Sequence, residues 1–360
     1  MSKTKNENLA LYRKYRPQTF NEVLGQDQVV KVLESSIKGD KVSHAYLFIG
    51  SRGTGKTSVA RIFAKEIGVS QNDIYEIDAA SNRKIDDIKE LRDGVNVLPF
   101  DSKYKIYIID EVHMLSHDAW GALLKTLEEP PRHVIFILAT TELHKVPDTI
   151  VSRCQVFTFR KASDIVSKNM ILDIVQKEGY EMEVGAAELL AILGDGSYRD
   201  AIGYLQKVLN FTKGKKIKLE EVEKIVGAPS TVLVNDFISA IASDCLEKGI
   251  EAVRKASIEN LDMKLYLKRI IQKMRMAIIL RYAPKLEKQM QNDLRESDLD
   301  FLKNILQGDS VKNRVFNSET LSILLEAYEN IDRSFVSELP LEMALVKILK
   351  SEKNPKTSKA

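Results

Sequence analysis

The chain of 360 residues carries 54 Lys and Arg against 51 Asp and Glu, a formal charge of +3, with 44% hydrophobic and 29% charged residues. That length has room for two or three domains, each with its own core, and the near-balance of charge excludes a polycationic nucleic-acid binder, so any phosphate contact must come from a local patch. Two cysteines, Cys154 and Cys245, exclude a disulfide framework, and no apolar run approaches the roughly 18 residues of a membrane span.

The first eight residues are polar and include Lys3 and Lys5, so no secretory signal is expected and the expected location is cytoplasmic. Further on, apolar runs rich in β-branched residues predict strands at Ala45–Ile49, Ile74–Asp78, Lys105–Asp110, Val134–Thr140 and 156–159, alternating with helical stretches. This pattern predicts an α/β nucleotide-binding domain with a mostly parallel sheet over residues 1–161.

Directly after the first strand stands Gly50-Ser51-Arg52-Gly53-Thr54-Gly55-Lys56-Thr57, a complete Walker A loop. Glycines let backbone N–H groups curl around phosphates, Lys56 reaches the β/γ oxygens, and the Thr57 hydroxyl ligates Mg²⁺. A helix over 58–67, opening at Ser58, turns its positive dipole end toward the same charge. The glycine spacing, followed by Lys-Thr, does not fit the dinucleotide fingerprint. The plain alternative is an ordinary glycine-rich turn.

The strand ending in Asp110-Glu111 reads as Walker B. Asp110 is placed to hold the Mg²⁺ shell and Glu111 to orient or deprotonate an attacking water, the alternative being two solvated carboxylates at a strand end. Ser163 then caps a helix over 164–177 that stops at Gly179. Helices at 184–193, 197–209 and 219–226 make a small helical lid, residues 162–227. Gly227-Ala228-Pro229-Ser230 reads as a hinge, since Pro229 cannot continue a helix. Residues 228–350 read as all-helical, with apolar stripes at Leu321, Leu324, Leu325, Tyr328 and Ile331 and at Leu341, Ala344, Leu345, Ile348 and Leu349. Residues 351–360 form a polar, Lys-rich tail.

Several longer stretches carry a family resemblance. Tyr12-Arg13-Lys14-Tyr15-Arg16-Pro17 with Phe20, Val23, Gly25 and Gln26, then His44-Ala45-Tyr46-Leu47-Phe48, resemble the opening of bacterial clamp-loader ATPases. So do Ile77-Asp78-Ala79-Ala80-Ser81, Asp110-Glu111-Val112-His113-Met114-Leu115 and the run from Leu123 to Pro131. Ala139-Thr140-Thr141, Ser152-Arg153-Cys154, Gly196-Ser197-Tyr198-Arg199-Asp200-Ala201 and Glu338-Leu339-Pro340-Leu341-Glu342 extend the likeness over nearly the whole chain. The chain is similar to the gamma/tau subunits of bacterial DNA polymerase III, members of the AAA+ ATPases.

The resemblance implies a P-loop domain, a helical lid and an all-α collar that oligomerises. It implies that Arg153 is an arginine finger acting on a neighbouring subunit's γ-phosphate, with a surface ion pair as the bland alternative. Arg199 matches the sensor-2 arginine; a salt bridge to Asp195 or Asp200 is the other reading. Thr141 matches sensor 1, although Thr140 could be the residue that points inward. Tyr12, Arg16, Pro17, Val23 and Gly25 match the segment that frames the base and ribose, and can equally tie the N-terminus onto the sheet.

Asn82, Lys84, Lys89, Ser116 and Lys125 match positions that track DNA phosphates, each alone being an ordinary surface residue. The family's four-cysteine zinc module has no counterpart in Gly68-Val69-Ser70-Gln71-Asn72-Asp73, so ATP and Mg²⁺ are expected and zinc is not. The chain also stops soon after the collar-like helices, which leaves polymerase and helicase coupling out of the expectation. Implied partners are delta- and delta-prime-type loader subunits, further copies of the chain, a sliding clamp and primer–template DNA, with no membrane. A non-catalytic scaffold subunit and a branch-migration helicase are the rival readings; the second should end in a winged DNA-binding domain.

Overall fold

The computed structural model describes residues 9–81, 94–286, 296–307 and 315–351. They fall into two compact units, residues 1–174 with 190–206, and residues 175–189 with 207–360. In chain order the elements are α1 (Leu11–Lys14), α2 (Asp27–Lys38), β1 (Ala45–Ile49), α3 (Lys56–Glu66), β2 (Ile74–Asp78), β3 (Lys105–Asp110), α4 (His117–Glu128), β4 (Val134–Thr140), α5 (Asp148–Val151), β5 (Gln155–Thr158) and α6 (Asp164–Lys177). There follow β6 (Glu181–Met182), α7 (Val184–Gly194), α8 (Tyr198–Phe211), β7 (Lys216–Ile217), α9 (Leu219–Val226), α10 (Thr231–Ala242), α11 (Leu246–Ile258), α12 (Met263–Tyr282), α13 (Glu296–Leu306), α14 (Ser318–Asn330) and α15 (Leu339–Ser351).

The first unit is built on a five-stranded sheet in the order β2-β3-β4-β1-β5, all pairs parallel. A parallel sheet covered on both faces needs unbroken apolar strands, and β4, Val-Ile-Phe-Ile-Leu-Ala-Thr, is buried at every position. Side chains alternate between two cores. Tyr46, Phe48, Ile106 and Ile137 meet Val59 and Phe63 of α3 on one face, where the Tyr46 and Phe63 rings pack edge to face at 4.9 Å. Leu47, Ile109, Phe136 and Leu138 meet Trp120 and Leu123 of α4 on the other. Each fully buried side chain of this size contributes about 1.5–3 kcal/mol, which holds the strand ends in fixed register. Ile49 lies opposite Thr140, Ile109 opposite Leu138 and Asp78 opposite Asp110, so Walker A, Walker B and the end of β4 share the carboxyl edge of the sheet.

The second unit has a helical core in which Phe237, Tyr266, Met274, Phe316, Leu324 and Leu345 are buried together. Gly227 caps α9 in the left-handed region, and the Ser230 hydroxyl accepts from Leu233 N to cap α10. Arg269 spans the turn between them, bonding the Glu223 carboxylate and the Thr231 hydroxyl at 3.0 Å each, and the Pro229 carbonyl. The predicted hinge is therefore braced. Among the described residues no single helix is long and apolar enough to cross a membrane, and the α9–α10 pair is bent by 93°.

The expectations for fold class hold, with differences of detail. The helix predicted over 58–67 begins at Lys56, because Gly55 in the left-handed region turns the chain directly into the first helical turn. The strand predicted at 156–159 runs Gln155–Thr158. Leu325, placed in an apolar stripe, is 46% exposed, and Ala327 takes the buried position. The short parallel pair β6–β7 was not foreseen, since two residues carry no periodicity. Of the tail, only Ser351 is described.

Candidate functional site

The loop between β1 and α3 closes around the Lys56 side chain. Its Nζ donates to the Gly50 carbonyl at 2.6 Å and the Ser51 carbonyl at 3.0 Å, and the residue is only 5% exposed. Burial lowers the Lys56 ammonium from its ordinary value, with Glu111 and Asp110 opposing that shift and Arg199 adding to it. An anion at the loop would offset the burial. The first-turn N–H groups of α3 have no carbonyl within the helix to bond, and they point toward the same space.

Gly53 is where the loop admits no side chain. It takes a φ of +75°, and a Cβ there would run into the Ser197 hydroxyl. Its carbonyl accepts from Tyr198 N at 3.0 Å, so the start of α8 is laid against the loop. Thr54 is buried, its hydroxyl donating to the Ser51 carbonyl at 2.9 Å. Ser51 and Arg52 are exposed at the rim, and Ser58 is half-buried in the first turn of α3.

Opposite the loop, the Thr57 hydroxyl donates to Asp110 Oδ2 at 2.6 Å, and Asp110 Oδ1 accepts from Glu111 N at 3.0 Å. A hydroxyl and one carboxylate side by side suit Mg²⁺, which keeps waters and takes its remaining ligands from the phosphates it accompanies. Among the described residues no group of three or more His, Cys, Asp or Glu is arranged to hold a metal. Glu111 occupies the left-handed region at φ 48°, uncommon for a non-glycine residue, which turns its side chain off the strand line. Glu111 Oε2 accepts from the Thr141 hydroxyl at 3.1 Å. Thr140 is fully buried and bonds elsewhere: its Oγ1 and His113 Nδ1 share a hydrogen bond of 3.0 Å, and it accepts from Glu142 N. Thr141, not Thr140, thus reaches the acidic pair.

A cationic cluster surrounds Tyr12. The Arg199 guanidinium lies 5.9 Å from the centre of the Tyr12 ring, and Arg13 Nε donates to the Tyr12 hydroxyl at 3.2 Å. Burial lowers the Arg16 guanidinium, and repulsion from Arg61, Arg199 and Arg13 adds to that, with Glu76 opposing. Arg199 is exposed in the first turn of α8, where a cation opposes the helix dipole. Asp195 pairs instead with Lys161 at 2.7 Å. Val23 packs at the edge of the core, Pro17 is half-buried, and the Tyr198 hydroxyl donates to Leu24 O beside Gly25, whose φ is +68°.

The remaining residues lie apart from this set. Arg153 follows α5, its guanidinium donating to Glu128 Oε1 and to the Thr149 carbonyl, both at 2.7 Å. Beside it, burial pushes the Cys154 thiol up to about 12, as befits a packing residue. The Ser116 hydroxyl caps α4 by accepting from Ala119 N at 3.3 Å, and Lys125 is exposed on that helix. Asn82, Lys84 and Lys89 lie outside the described residues.

Comparison with known proteins gives these groups a family. A family model described as DNA polymerase III, delta subunit matches residues 25–79 and 69–163. The DNA polymerase III subunit gamma of Buchnera aphidicola subsp. Baizongia pistaciae is 41% identical over 264 residues, covering 67% of this chain and 70% of that protein. The chain belongs to the DNA polymerase III gamma/tau family. The Bacillus subtilis subunit tau is 40% identical over 299 residues, 77% of this chain and 53% of its own length, so the chain spans about half the length of that relative. Among solved structures, the Thermotoga maritima RuvB Holliday junction branch migration motor superposes with a TM-score of 0.51 at 22% identity, covering 63% of this chain and 79% of that one. That likeness concerns the AAA+ fold alone.

In this gamma/tau chain three side chains had no role read from sequence. Gln26 is buried and ties three segments together: its Nε2 donates to the Arg160 carbonyl at 2.8 Å and to the Thr54 carbonyl at 3.5 Å, while its Oε1 accepts from Arg160 N. His113 touches both Thr140 and two carboxylates. Glu128 holds Arg153. All three lie in stretches that carry the family resemblance, but neither residue type nor spacing gave any of them a role.

Proposed function

We propose that the chain is an ATP-driven motor subunit of a clamp loader, hydrolysing ATP to place a sliding clamp on primer–template DNA. What carries the reading is the Thr57–Asp110 contact at 2.6 Å, with Lys56 and Glu111 on either side of it, in a chain of the gamma/tau family. Mg²⁺ held by Thr57 and Asp110 would supply charge neutralisation at the β/γ oxygens. Lys56 binds the same oxygens, the loop N–H groups cradle the phosphates, and the Tyr12, Arg16, Arg199 cluster receives the rest of the nucleotide beside Pro17, Val23 and Gly25. Glu111 orients the attacking water and accepts its proton, with Thr141 fixing the carboxylate. Arg153 serves a neighbouring subunit, where a guanidinium supplies planar, permanent charge to the transition state.

On this reading residues 1–161 bind nucleotide, 162–227 form the lid and 228–350 form the oligomerisation collar, assembled with further copies and with delta- and delta-prime-type subunits. Lys125 and Ser116, with Asn82, Lys84 and Lys89, would contact the DNA backbone, which predicts salt-dependent binding without sequence preference. The test is steady-state ATP hydrolysis by the chain with its loader partners, with and without clamp and primed DNA. Stimulation that needs both clamp and a primer–template junction is expected. Turnover driven by duplex or branched DNA and indifferent to the clamp would overturn the assignment.

A further inference from the structure

The first residue of α8 bonds in two directions. The Tyr198 N–H donates to the Gly53 carbonyl at 3.0 Å, and the Tyr198 hydroxyl donates to the Leu24 carbonyl at 2.7 Å. One end of the residue is therefore on the phosphate loop and the other on the N-terminal segment. The turn ahead of it is built to allow this. Asp195 and Gly196 both take left-handed backbone, at φ 47° and 78°, the Gly196 carbonyl accepts from Ala162 N at 3.1 Å, and the Ser197 hydroxyl caps α8 by accepting from Asp200 N at 3.2 Å.

Gly25 shows how closely the tyrosine is applied. A Cβ at that position would come within 2.8 Å of the Tyr198 hydroxyl. Burial, with the charge of Asp27 adding to it, pushes that hydroxyl up to about 12, so at neutral pH it keeps the proton it donates. Further along the same helix Gln206 Oε1 accepts from Leu11 N at 3.1 Å, and near its start the Arg199 guanidinium faces the Tyr12 ring. Positions 199 and 206 are about two helical turns apart and share a face. Leu11 opens α1, which carries Tyr12, and Leu24 stands between Val23 and Gly25. Each tie thus falls on or beside a residue matched to the base and ribose.

We propose that α8 is a splint that holds the nucleobase frame in register with the phosphate loop, with Tyr198 the positioning residue at its head. The inference rests on the reading of Tyr12, Arg16, Pro17, Val23 and Gly25 as that frame. Tyr198 acts through Leu24 and Gly25, not by contact with the nucleotide. A frame ordered in advance spares the bound nucleotide the cost of ordering it. ATP and GTP carry the same phosphates and ribose, and only the frame tells their bases apart. Loosening it lowers discrimination between the two, whereas damage to the fold lowers both affinities alike.

The experiment compares wild type, Tyr198→Phe and Gln206→Leu in the full chain, reading the affinities for ATP and GTP by competition with a fluorescent ATP analogue, and the melting temperature. Tyr198→Phe keeps the ring and the N–H to Gly53 and loses only the hydroxyl. The preference for ATP over GTP should fall by about 2- to 10-fold, the worth of one hydrogen bond, chiefly through weaker ATP binding and with the melting temperature near that of wild type. Gln206→Leu, of similar volume but without the acceptor for Leu11 N, should shift the preference the same way. An unchanged preference in either variant, or an equal loss of both affinities, would overturn the splint while leaving wild-type selectivity intact. A wild type that binds ATP and GTP equally would remove the base-frame reading itself, and one that binds neither would sink the ATP-driven function.

Discussion

The Walker groups and Arg153 sit on one sheet-based unit yet are held in different ways. Lys56, Thr57, Asp110, Glu111 and Thr141 are fixed by backbone turns at the ends of buried strands, and each bonds another member of the set or the loop itself. Arg153 is held from outside that set, by Glu128 on α4 and a carbonyl of α5. Groups that act within a chain can be organised by the chain's own folding. On the proposed reading, in which Arg153 acts on a neighbour, a partly exposed ion pair holds it at small energetic cost until that neighbour arrives.

The contrast breaks most sharply at Arg153 itself. Arg153→Ala should leave ATP affinity of the free chain unaltered and reduce turnover of the assembly by about 10³-fold or more, measured by single-turnover hydrolysis with clamp and primed DNA. Equal turnover by variant and wild type would return Arg153 to a surface ion pair. Gly53→Ala tests the other side. Left-handed backbone at a non-glycine residue costs about 1–2 kcal/mol before the contact with Ser197 is counted, so the loop should open and ATP affinity fall by about tenfold or more, read by isothermal titration.

A smaller effect follows from the burial of Lys56. Burial lowers the free-chain Lys56 ammonium from its ordinary value, and a bound phosphate would favour the charged form. Between the free and bound values binding therefore takes up a proton, so ATP affinity should decline as pH rises through the free-chain value, while Lys56→Met should abolish that slope. Smallest of all is Glu128→Gln, which removes a partly exposed pair worth about 0.2–1 kcal/mol and should lower the melting temperature hardly at all. If Glu128 only stores the arginine, that variant assembles and hydrolyses at or above the wild-type rate; a loss like that of Arg153→Ala would show that Glu128 aims the finger.

Much of this arrangement was legible because its chemistry is local. The phosphate loop is eight consecutive residues with restricted roles, and the strands are β-branched runs too apolar for anything but a buried sheet. The choice between Thr140 and Thr141 was not legible, because strand alternation decides it and the strand ends between them. Nor was the cap role of Ser116, where the helix boundary had to be known first. Gln26 escaped for a different reason: its partner Arg160 lies 134 positions away, and nothing in either residue type announces the other.

That glutamine has a practical consequence. Thr54 of the phosphate loop is bonded from before the sheet begins, and Gly53 from after it ends, by Tyr198. The loop's shape is thus distributed over a stretch from Gln26 to Tyr198, although its signature occupies eight positions. A fragment cut to the signature and its two flanking elements would keep the letters of the motif and lose its curvature, and grafting those letters onto another sheet would transplant the sequence without the scaffold that bends it.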